Sequence, residues 1–575
     1  MTEPLKSSSF RAPQHAWGTC TMDTLVDVIL SARAVSDRGL TFTDGESERF
    51  WPYAEVVAEA ERVAGALREM GLSRGDRVGL ILHEPRDFVM SFLGSVLAGL
   101  VPVALYPPIS LGTLDTYQAG VQRVFDVAGV RRVLTAELLL EVLGPLKGPG
   151  GGPMPLQTFE TLPRLSGAVA PEAVTGDDLA FLQFTSGSTA APKGVRITHR
   201  ALLANATGIA DRLDVRAERD HAVSWLPLYH DMGLIGFLIV PLLRQASTCF
   251  LSPLAFLKNP TLWPELMHRR RATMGFAPNF AYALLARRAT EEQLARWDLS
   301  CWRVAGCGGE PVQPDTFRRF ADRFARCRFA PEAFLPSYGL AEATLAVAMK
   351  PLDAPVRTLR LDAERFRATG EAAPAGPSGP SMEVISCGRV LPGHELQIAG
   401  ERGPLPDGRE GQILVRGPSL ADGYHADAAA TGETFQSGWL RTGDLGFVQD
   451  GELYVTGREK DLVIINGRNH HPQSIEWVVN EVEGLRRGCA VAFSRPGAEG
   501  EELVVVVEAR AADGAPGLAA EISRRVRAEL SLSVADVVVL PAEGLPKTSS
   551  GKLQRRRTRE LYLSGALRTA AAPAP

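Results

Sequence analysis

Much is missing from this chain of 575 residues. Its seven cysteines (20, 249, 301, 307, 327, 387 and 489) are scattered and contain no C-x-x-C pair. That pattern argues against a disulfide framework or a zinc site and fits reduced thiols. No basic excess exists: the formal net charge is −4, so little is left over to neutralise nucleic-acid phosphates. Met1 to Trp17 is polar and lacks the apolar stretch of a signal peptide. The most apolar stretches, such as Phe88 to Leu105, are broken by Ser, Gly and Pro and fall short of a membrane span. We therefore expect a soluble, cytoplasmic protein with no integral membrane segment. No internal repeat is apparent, and the P-loop spacing Gly-x-x-x-x-Gly-Lys-Ser/Thr does not occur at the hydroxyl-rich loop described below.

The composition that remains is that of an ordinary globular protein, 45% hydrophobic and 22% charged. The length implies at least two domains. Strand-length apolar segments alternate with amphipathic helical patterns, which favours α/β layering. Arg77 to Leu82 reads as a strand, Asp87 to Leu100 as a helix packed on a sheet, and Val133 to Thr135 and Leu179 to Phe184 continue the alternation. Gly148 to Pro153 and Ala373 to Pro380 are Gly/Pro-rich and read as loops, and Ala570 to Pro575 as a frayed tail. Near Gly457 to Asp461 a boundary is expected. Beyond it come a strand at Leu462 to Ile465, a helix at Pro472 to Val482, a strand at Leu503 to Glu508, a helix at Leu518 to Leu530 and a strand at Val534 to Leu540. About a hundred residues suit a small α+β domain.

Four segments carry chemistry. Thr185-Ser-Gly-Ser-Thr-Ala-Ala-Pro-Lys-Gly194 follows a buried strand. Small and hydroxyl residues let backbone N–H groups approach a phosphate chain, and Lys193 adds a mobile positive charge. Ser337-Tyr-Gly-Leu-Ala-Glu-Ala-Thr344 offers an aromatic face, Tyr338, and a carboxylate, Glu342, fit to hold Mg²⁺; the plainer alternative is a helix N-terminus with ordinary core packing. Trp439-Leu-Arg-Thr-Gly-Asp-Leu445 holds Asp444 at a glycine turn, either for ribose hydroxyls or as a common turn carboxylate, and Asp450-Gly451 signals a hairpin. Pro546 to Arg555 places Gly551 before Lys552, a lysine-bearing loop or simply a solvated basic one.

In this order the segments resemble the adenylate-forming superfamily of acyl-CoA synthetases, peptide-synthetase adenylation domains and luciferases, from about Asp23 to Leu563. Within it the chain is similar to the fatty acyl-AMP ligases. The residues that carry this are Leu182 to Thr189, Ser224-Trp-Leu-Pro-Leu-Tyr-His-Asp-Met-Gly-Leu-Ile-Gly236, Ala277-Pro-Asn-Phe-Ala-Tyr282, Tyr338 to Leu345, Ser386-Cys-Gly388 and Asn466 to Glu476. Arg357 to Glu383 occupies the place of the insertion characteristic of these ligases. Two departures stand out. The group usually has Asn-Gly-Ala-Glu-Pro where this chain has Cys307-Gly-Gly-Glu-Pro311, and Asn469 stands where CoA ligases often carry an arginine.

The resemblance implies an α/β protein with a large multi-layer N-terminal domain of the adenylate-forming type (1–459) and a small mobile C-terminal α+β domain (460–575) hinged at Lys460. It implies ATP and Mg²⁺ as cofactors and a fatty acid as substrate. Thr185, Ser186, Gly187, Ser188, Thr189 and Lys193 would hold the phosphates. Gly309, Glu310, Pro311, Ser337, Gly339, Leu340 and Ala341 would border the nucleotide, with Tyr338 stacked on adenine and Asp444 and Arg458 on ribose. Glu342 would bind Mg²⁺. Lys552 would bridge the acyl carboxylate and the α-phosphate, and His230 would lie by the carboxylate or its tunnel, unless it is a plain core histidine. Neighbouring His470 and His471 seldom converge on one ion, so no metal is expected there. The acyl group would then pass to the phosphopantetheine thiol of an acyl carrier protein. Rival readings are a conventional acyl-CoA synthetase, a non-catalytic nucleotide- or acyl-binding homologue, and a peptide-synthetase module. Chain length of the acyl substrate and oligomeric state are not legible.

Overall fold

The computed structural model describes residues 10–11, 22–108, 114–163, 170–185, 192–465, 468–497, 501–510, 517–530, 532–548 and 552–567. Thus Ser186, Gly187, Ser188 and Thr189 lie outside the described residues, and of Thr185 only the backbone, ending its strand, is described.

The α/β layering is present, as a large N-terminal domain and a smaller C-terminal one. A nine-stranded sheet has the strands Gly39–Thr43, Ser247–Leu251, His221–Ser224, Met274–Ala277, Val304–Cys307 and Phe334–Gly339 side by side and parallel. A six-stranded sheet contains Arg77–Ile81, Val101–Ala104, Val130–Thr135 and Leu179–Thr185, also parallel, with Lys193–Thr198 antiparallel at its edge. The helices Tyr53–Glu69 and Pro85–Leu97 are packed closely: a Cβ on Gly94 would fall 2.6 Å from the Val63 side chain. Pro85 opens its helix where no N–H partner is needed. One hydrophobic core spans the helices and both these sheets, with Trp263, Tyr282 and Trp302 in mutual ring contact at its centre.

Parallel strands end on one side of their sheet, and in open α/β sheets the crevice beyond those ends is where ligands bind. Here the ends lead into Trp225 to His230 (after His221–Ser224), Pro278 to Phe280 (after Met274–Ala277) and Gly308 to Pro311 (after Val304–Cys307). The motif segments are thus brought together by topology.

An antiparallel third sheet includes Gly411–Arg416, Trp439–Gln449 and Glu452–Arg458. Its hairpin turns at Asp450 (φ 53°) and Gly451 (φ 75°), two left-handed residues that suit the twist of the strands. Between Arg357 and Glu383 the strands Thr358–Asp362 and Ser381–Ile385 pair antiparallel and enclose the helix Ala363–Thr369. Arg318 of the helix Pro314–Phe324 grips Glu383 through two bonds of 3.0 and 2.9 Å.

Past residue 460 the structure departs from expectation in three elements, one of them the short strand Arg468–His470 paired with Val463–Ile465. The strand Leu485–Pro496 was not anticipated, because Arg486, Arg487 and Gly488 interrupt its apolar pattern; a bulge between Leu485 and Ala490 absorbs them, and Cys489 to Phe493 are buried. Likewise the helix Arg555–Leu563 has an arginine-rich first turn that masks its short apolar face. Otherwise the strands Val463–Ile465, Glu501–Ala509 and Val534–Leu540 and the helices Pro472–Asn480 and Leu518–Leu530 stand where the sequence puts them. Two hydrophobic clusters drawn only from residues 463–567 fill this region.

Candidate active site

One cavity of about 2550 Å³ reaches every described residue named above as a site candidate whose side chain is described. Its walls include Lys193, His230, Gly309, Glu310, Pro311, Ser337, Tyr338, Gly339, Leu340, Ala341, Glu342, Asp444, Arg458, Lys460 and Lys552. This exceeds the usual few hundred to about 1000 Å³ of a small-molecule pocket, so it has room for a nucleotide and a second, apolar ligand.

The nucleotide-like end is built on the strand Phe334–Gly339 and a 3₁₀ turn at Ala341–Ala343. A full helix does not start here, since Thr344 turns left-handed (φ 72°) and ends the turn. Tyr338 is buried, and its hydroxyl donates to Asp444 Oδ2 at 2.7 Å. Arg458 Nε donates to the other oxygen, Oδ1, at 2.9 Å. The sequence separation is bridged by the hairpin, whose register sets Asp444 opposite Arg458. Loss of hydration, then the Asp444 carboxylate, pushes the Tyr338 phenol well above its ordinary range, so it stays a donor. The Asp444 charge in turn raises the Arg458 guanidinium.

Glu342 accepts from the Tyr424 hydroxyl at 2.7 Å. The Lys193 ammonium stands 4.7 Å from the centroid of the same Tyr424 ring, a cation–π distance. Tyr424 thereby joins Lys193 to Glu342, a link that no local motif announces. Among the described residues no cluster of three or more His, Cys, Asp or Glu could hold a metal. A lone carboxylate such as Glu342 fits Mg²⁺ only where waters and phosphate oxygens supply the other ligands.

At the centre stands Lys552. It comes from the C-terminal region, yet a Cβ added to Gly309 would lie 3.2 Å from its Nζ. Gly309 has φ +79°, a conformation that favours glycine there. The loop carrying Lys552 is closed on itself: Lys552 N donates to Thr548 Oγ1 at 3.0 Å, and Thr548 N to Lys552 O at 2.7 Å. Three residues on, Arg555 binds both Glu476 oxygens at 2.9 Å and Asp461 Oδ2 at 2.6 Å, tying the loop to the residue after Lys460.

Two carboxylates face this lysine. Asp231 Oδ1 lies 2.6 Å from His230 Nδ1 and accepts from Met232 N at 2.7 Å. Burial pushes its carboxyl up, but His230, Lys552 and the amide outweigh it and hold it below the ordinary range. Glu310 Oε1 accepts from Phe280 N at 2.7 Å. Burial raises its carboxyl, only partly opposed by that amide and by Lys552. Lys552 itself is lowered by loss of hydration, while Asp231 and Glu310 pull it back up. Asp231 was quoted in a motif but given no task; its neighbour His230 is only partly buried, with the side chain 29% exposed, and is no core histidine.

One further stretch of wall is apolar. Leu213, Phe237, Val240, Met274, Phe276 and Met349 line it. Gly236 and Phe237 reach the cavity from a π-helical turn at Ile235–Ile239, a local widening common at functional sites. The Phe237 and Phe276 rings meet edge-on at 6.0 Å.

Comparison with known proteins decides the family. Residues 31–425 match the AMP-binding enzyme family, and residues 460–572 match the AMP domain of Disco-interacting protein 2-like proteins. A Caulobacter vibrioides protein named as an acyl-CoA synthetase is 40% identical over 91% of this chain and 92% of its own. The long-chain-fatty-acid–AMP ligase FadD26 of Mycobacterium marinum is 35% identical over 89% and 91%. This chain is a fatty acyl-AMP ligase of the AMP-binding enzyme family. The ligase is also 34% identical to JamA of Moorena producens, a medium-chain-fatty-acid–[acyl-carrier-protein] ligase, over 90% of each chain. Its fold superposes on a solved structure from work on fatty acyl-adenylate ligases of E. coli and L. pneumophila with a TM-score of 0.89 and 36% identity, covering 94% of this chain and 98% of the other.

Proposed function

We propose that the ligase joins a medium- or long-chain fatty acid to the AMP part of ATP, releasing pyrophosphate, and then hands the acyl group to the phosphopantetheine thiol of an acyl carrier protein. The observation that carries this reading is Lys552 seated beside Gly309 and between the Asp231 and Glu310 sides of a cavity with one polar and one apolar wall.

A carboxylate oxygen attacks the α-phosphorus as the bond to the β-phosphate oxygen breaks. Both partners are anions, so the protein's part is positioning and charge neutralisation. Lys552 binds the acyl carboxylate and the α-phosphate together, and Lys193 with the 185–189 loop takes the leaving phosphates. Asp444 and Arg458 hold the ribose, and Tyr338, fixed by Asp444, offers its ring to adenine. Glu342 would hold Mg²⁺, whose charge would neutralise the phosphates further. The apolar wall around Phe237 and Phe276 receives the chain.

In the second half the thiol, losing its proton, attacks the acyl carbon and the bond to the phosphate oxygen breaks, freeing AMP. For that, Lys552 must leave. We assign the domain boundary to 459/460 and the hinge to Lys460, in the 3₁₀ turn Glu459–Asp461. The inserted helix Ala363–Thr369 lies against the strand Arg468–His470 beyond that hinge, a contact that supports its role in disfavouring rotation toward free CoA.

The test incubates the protein with Mg-ATP, a panel of fatty acids and either CoA or a phosphopantetheinylated carrier, with mass spectrometry of acyl-AMP, acyl-CoA and acyl-carrier. Acyl-AMP with acyl-carrier and little acyl-CoA is expected. Abundant acyl-CoA would make it a conventional acyl-CoA synthetase.

A further inference from the structure

Between Glu342 and the apolar stretch of wall the chain makes a turn that its residue type does not favour. Thr344 has φ 72° and ψ −58°, and Leu345 N donates to Ala343 O across it at 3.0 Å. This is the γ-turn of positive φ, the rare and strained form. A β-branched residue is poorly suited to it, whereas glycine would adopt it freely. Such strain persists only where the surroundings over-determine it, and it gathers at functional sites. Glu342 and Leu345 flank the turn, and both line the cavity. Glu342 meets Tyr424, which carries Lys193 over its ring. Leu345 lies by the π-helical turn, where a Cβ on Gly236 would fall 3.9 Å from its Cδ2.

What holds the turn is a buried polar network. Thr344 is 1% exposed, and Asn205, His394 and Ser419 are 0% exposed. Thr344 Oγ1 donates to Ser419 O at 2.6 Å. Asn205, on the helix His199–Arg212, grips Ala346 with both ends of its amide: Oδ1 accepts from Ala346 N at 3.0 Å, and Nδ2 donates to Ala346 O at 2.8 Å. The same Nδ2 lies 3.3 Å from Ala343 O and 3.1 Å from Ser419 Oγ. His394 closes the set, with Nδ1 3.0 Å from Pro392 O and Nε2 2.6 Å from Ser419 Oγ. The Pro392 carbonyl can only accept, so Nδ1 carries the proton. Loss of hydration lowers the imidazole and keeps it neutral, so Nε2 accepts from the Ser419 hydroxyl. Beyond the network, Ala421 N donates to Glu342 O at 2.9 Å. A satisfied polar network at this depth fixes one geometry.

We infer that Thr344 is a positioning residue for adenylation, held by Ser419, Asn205 and His394, and that its strained turn fixes Glu342 and Leu345 relative to one another. The nucleotide end and the apolar wall are thereby spaced for a joined acyl-adenylate, not for its two halves taken separately. The inference rests on the adenylation reading above. Two features carry it. The turn lies directly between a residue of each end, and the fold alone does not call for its strain, since glycine at 344 would relieve it.

The test measures by calorimetry the binding of AMP and of a non-hydrolysable acyl-adenylate, an N-acylsulfamoyl adenosine with the chain favoured in the fatty-acid panel. Wild type is compared with Thr344→Val, Thr344→Gly and Thr344→Ser. Valine keeps the shape without the hydroxyl. Glycine also relieves the strain, and so tests the inference even where the valine variant fails to fold. In both, AMP affinity is expected to stay within about twofold, while affinity for the acylsulfamoyl adenosine and kcat of ATP–pyrophosphate exchange fall about tenfold or more. Thr344→Ser keeps Oγ and should recover both to within about threefold of wild type. Wild-type affinity for the acylsulfamoyl adenosine in Thr344→Gly, an equal loss for it and for AMP, or a serine variant as impaired as the glycine one would overturn the inference and leave the adenylation reading standing. A wild type that binds no acylsulfamoyl adenosine and makes no acyl-AMP would refute that reading, and the positioning role with it.

Discussion

Replacing Lys552 by alanine separates the two half-reactions. Its ammonium stands beside Gly309 and is held charged by Asp231 and Glu310. Removing a preorganised donor to developing charge typically costs about 2.7–4 kcal/mol, or about 10²–10³ in rate. Here the loss should reach the upper end, because Asp231 and Glu310 would then face an incoming carboxylate and phosphate with the lysine between them gone. ATP–pyrophosphate exchange with a fatty acid reads the first half-reaction and should fall about a thousandfold. Transfer from synthetic acyl-AMP to carrier reads the second, and should stay within about threefold, since the lysine has no part in thiol attack. Lys552→Arg keeps charge but not shape and should recover only part of the exchange. An exchange loss below about tenfold, or an equal loss in both assays, would refute the placement of Lys552 in adenylation alone.

Other outcomes follow from the same geometry. Burial lowers the Lys552 ammonium, and its charged form is lost as pH rises. The alkaline limb of the adenylation rate should therefore fall below the ordinary lysine value of about 10.4, and Lys552→Arg should shift that limb upward in a pH–rate profile. Gly309→Ala puts a Cβ 3.2 Å from Lys552 Nζ at φ +79°, so exchange activity should drop at least tenfold with a lowered melting temperature, the strain alone costing about 1–3 kcal/mol. Glu342→Gln should raise the Mg²⁺ concentration for half-maximal exchange severalfold, whereas Tyr424→Phe, which keeps the ring under Lys193, should raise it less. Arg555→Met releases the bonds to Glu476 and Asp461 and should slow exchange about tenfold while leaving ATP binding, measured by calorimetry, within twofold.

Contiguity explains what could be read in advance. Lys193, Tyr338 to Glu342, Asp444 and Lys552 sit in short segments whose order survives in the sequence and line one cavity, and alternating elements announced the parallel sheets. What escaped depends on distant partners. Tyr424 meets Glu342 from 82 residues away and Arg555 meets Glu476 from 79, and neither pairing leaves a local trace. Asp231 was overlooked because its neighbour His230 drew attention, although the carboxylate is what balances Lys552. The strand Leu485–Pro496 was hidden by the arginines that interrupt its apolar pattern.

The Arg555 clamp has a mechanical meaning. Arg555, three residues on from Lys552, is fastened to Asp461, the residue next to the hinge assigned at Lys460. A turn at the hinge therefore carries the lysine with it as the end of a short lever. On the proposed reading, the charge that drives adenylation and the opening that admits a thiol become a single coordinate. Such an enzyme has no gear in which both are engaged, and each acyl-adenylate waits on one motion before it can be spent.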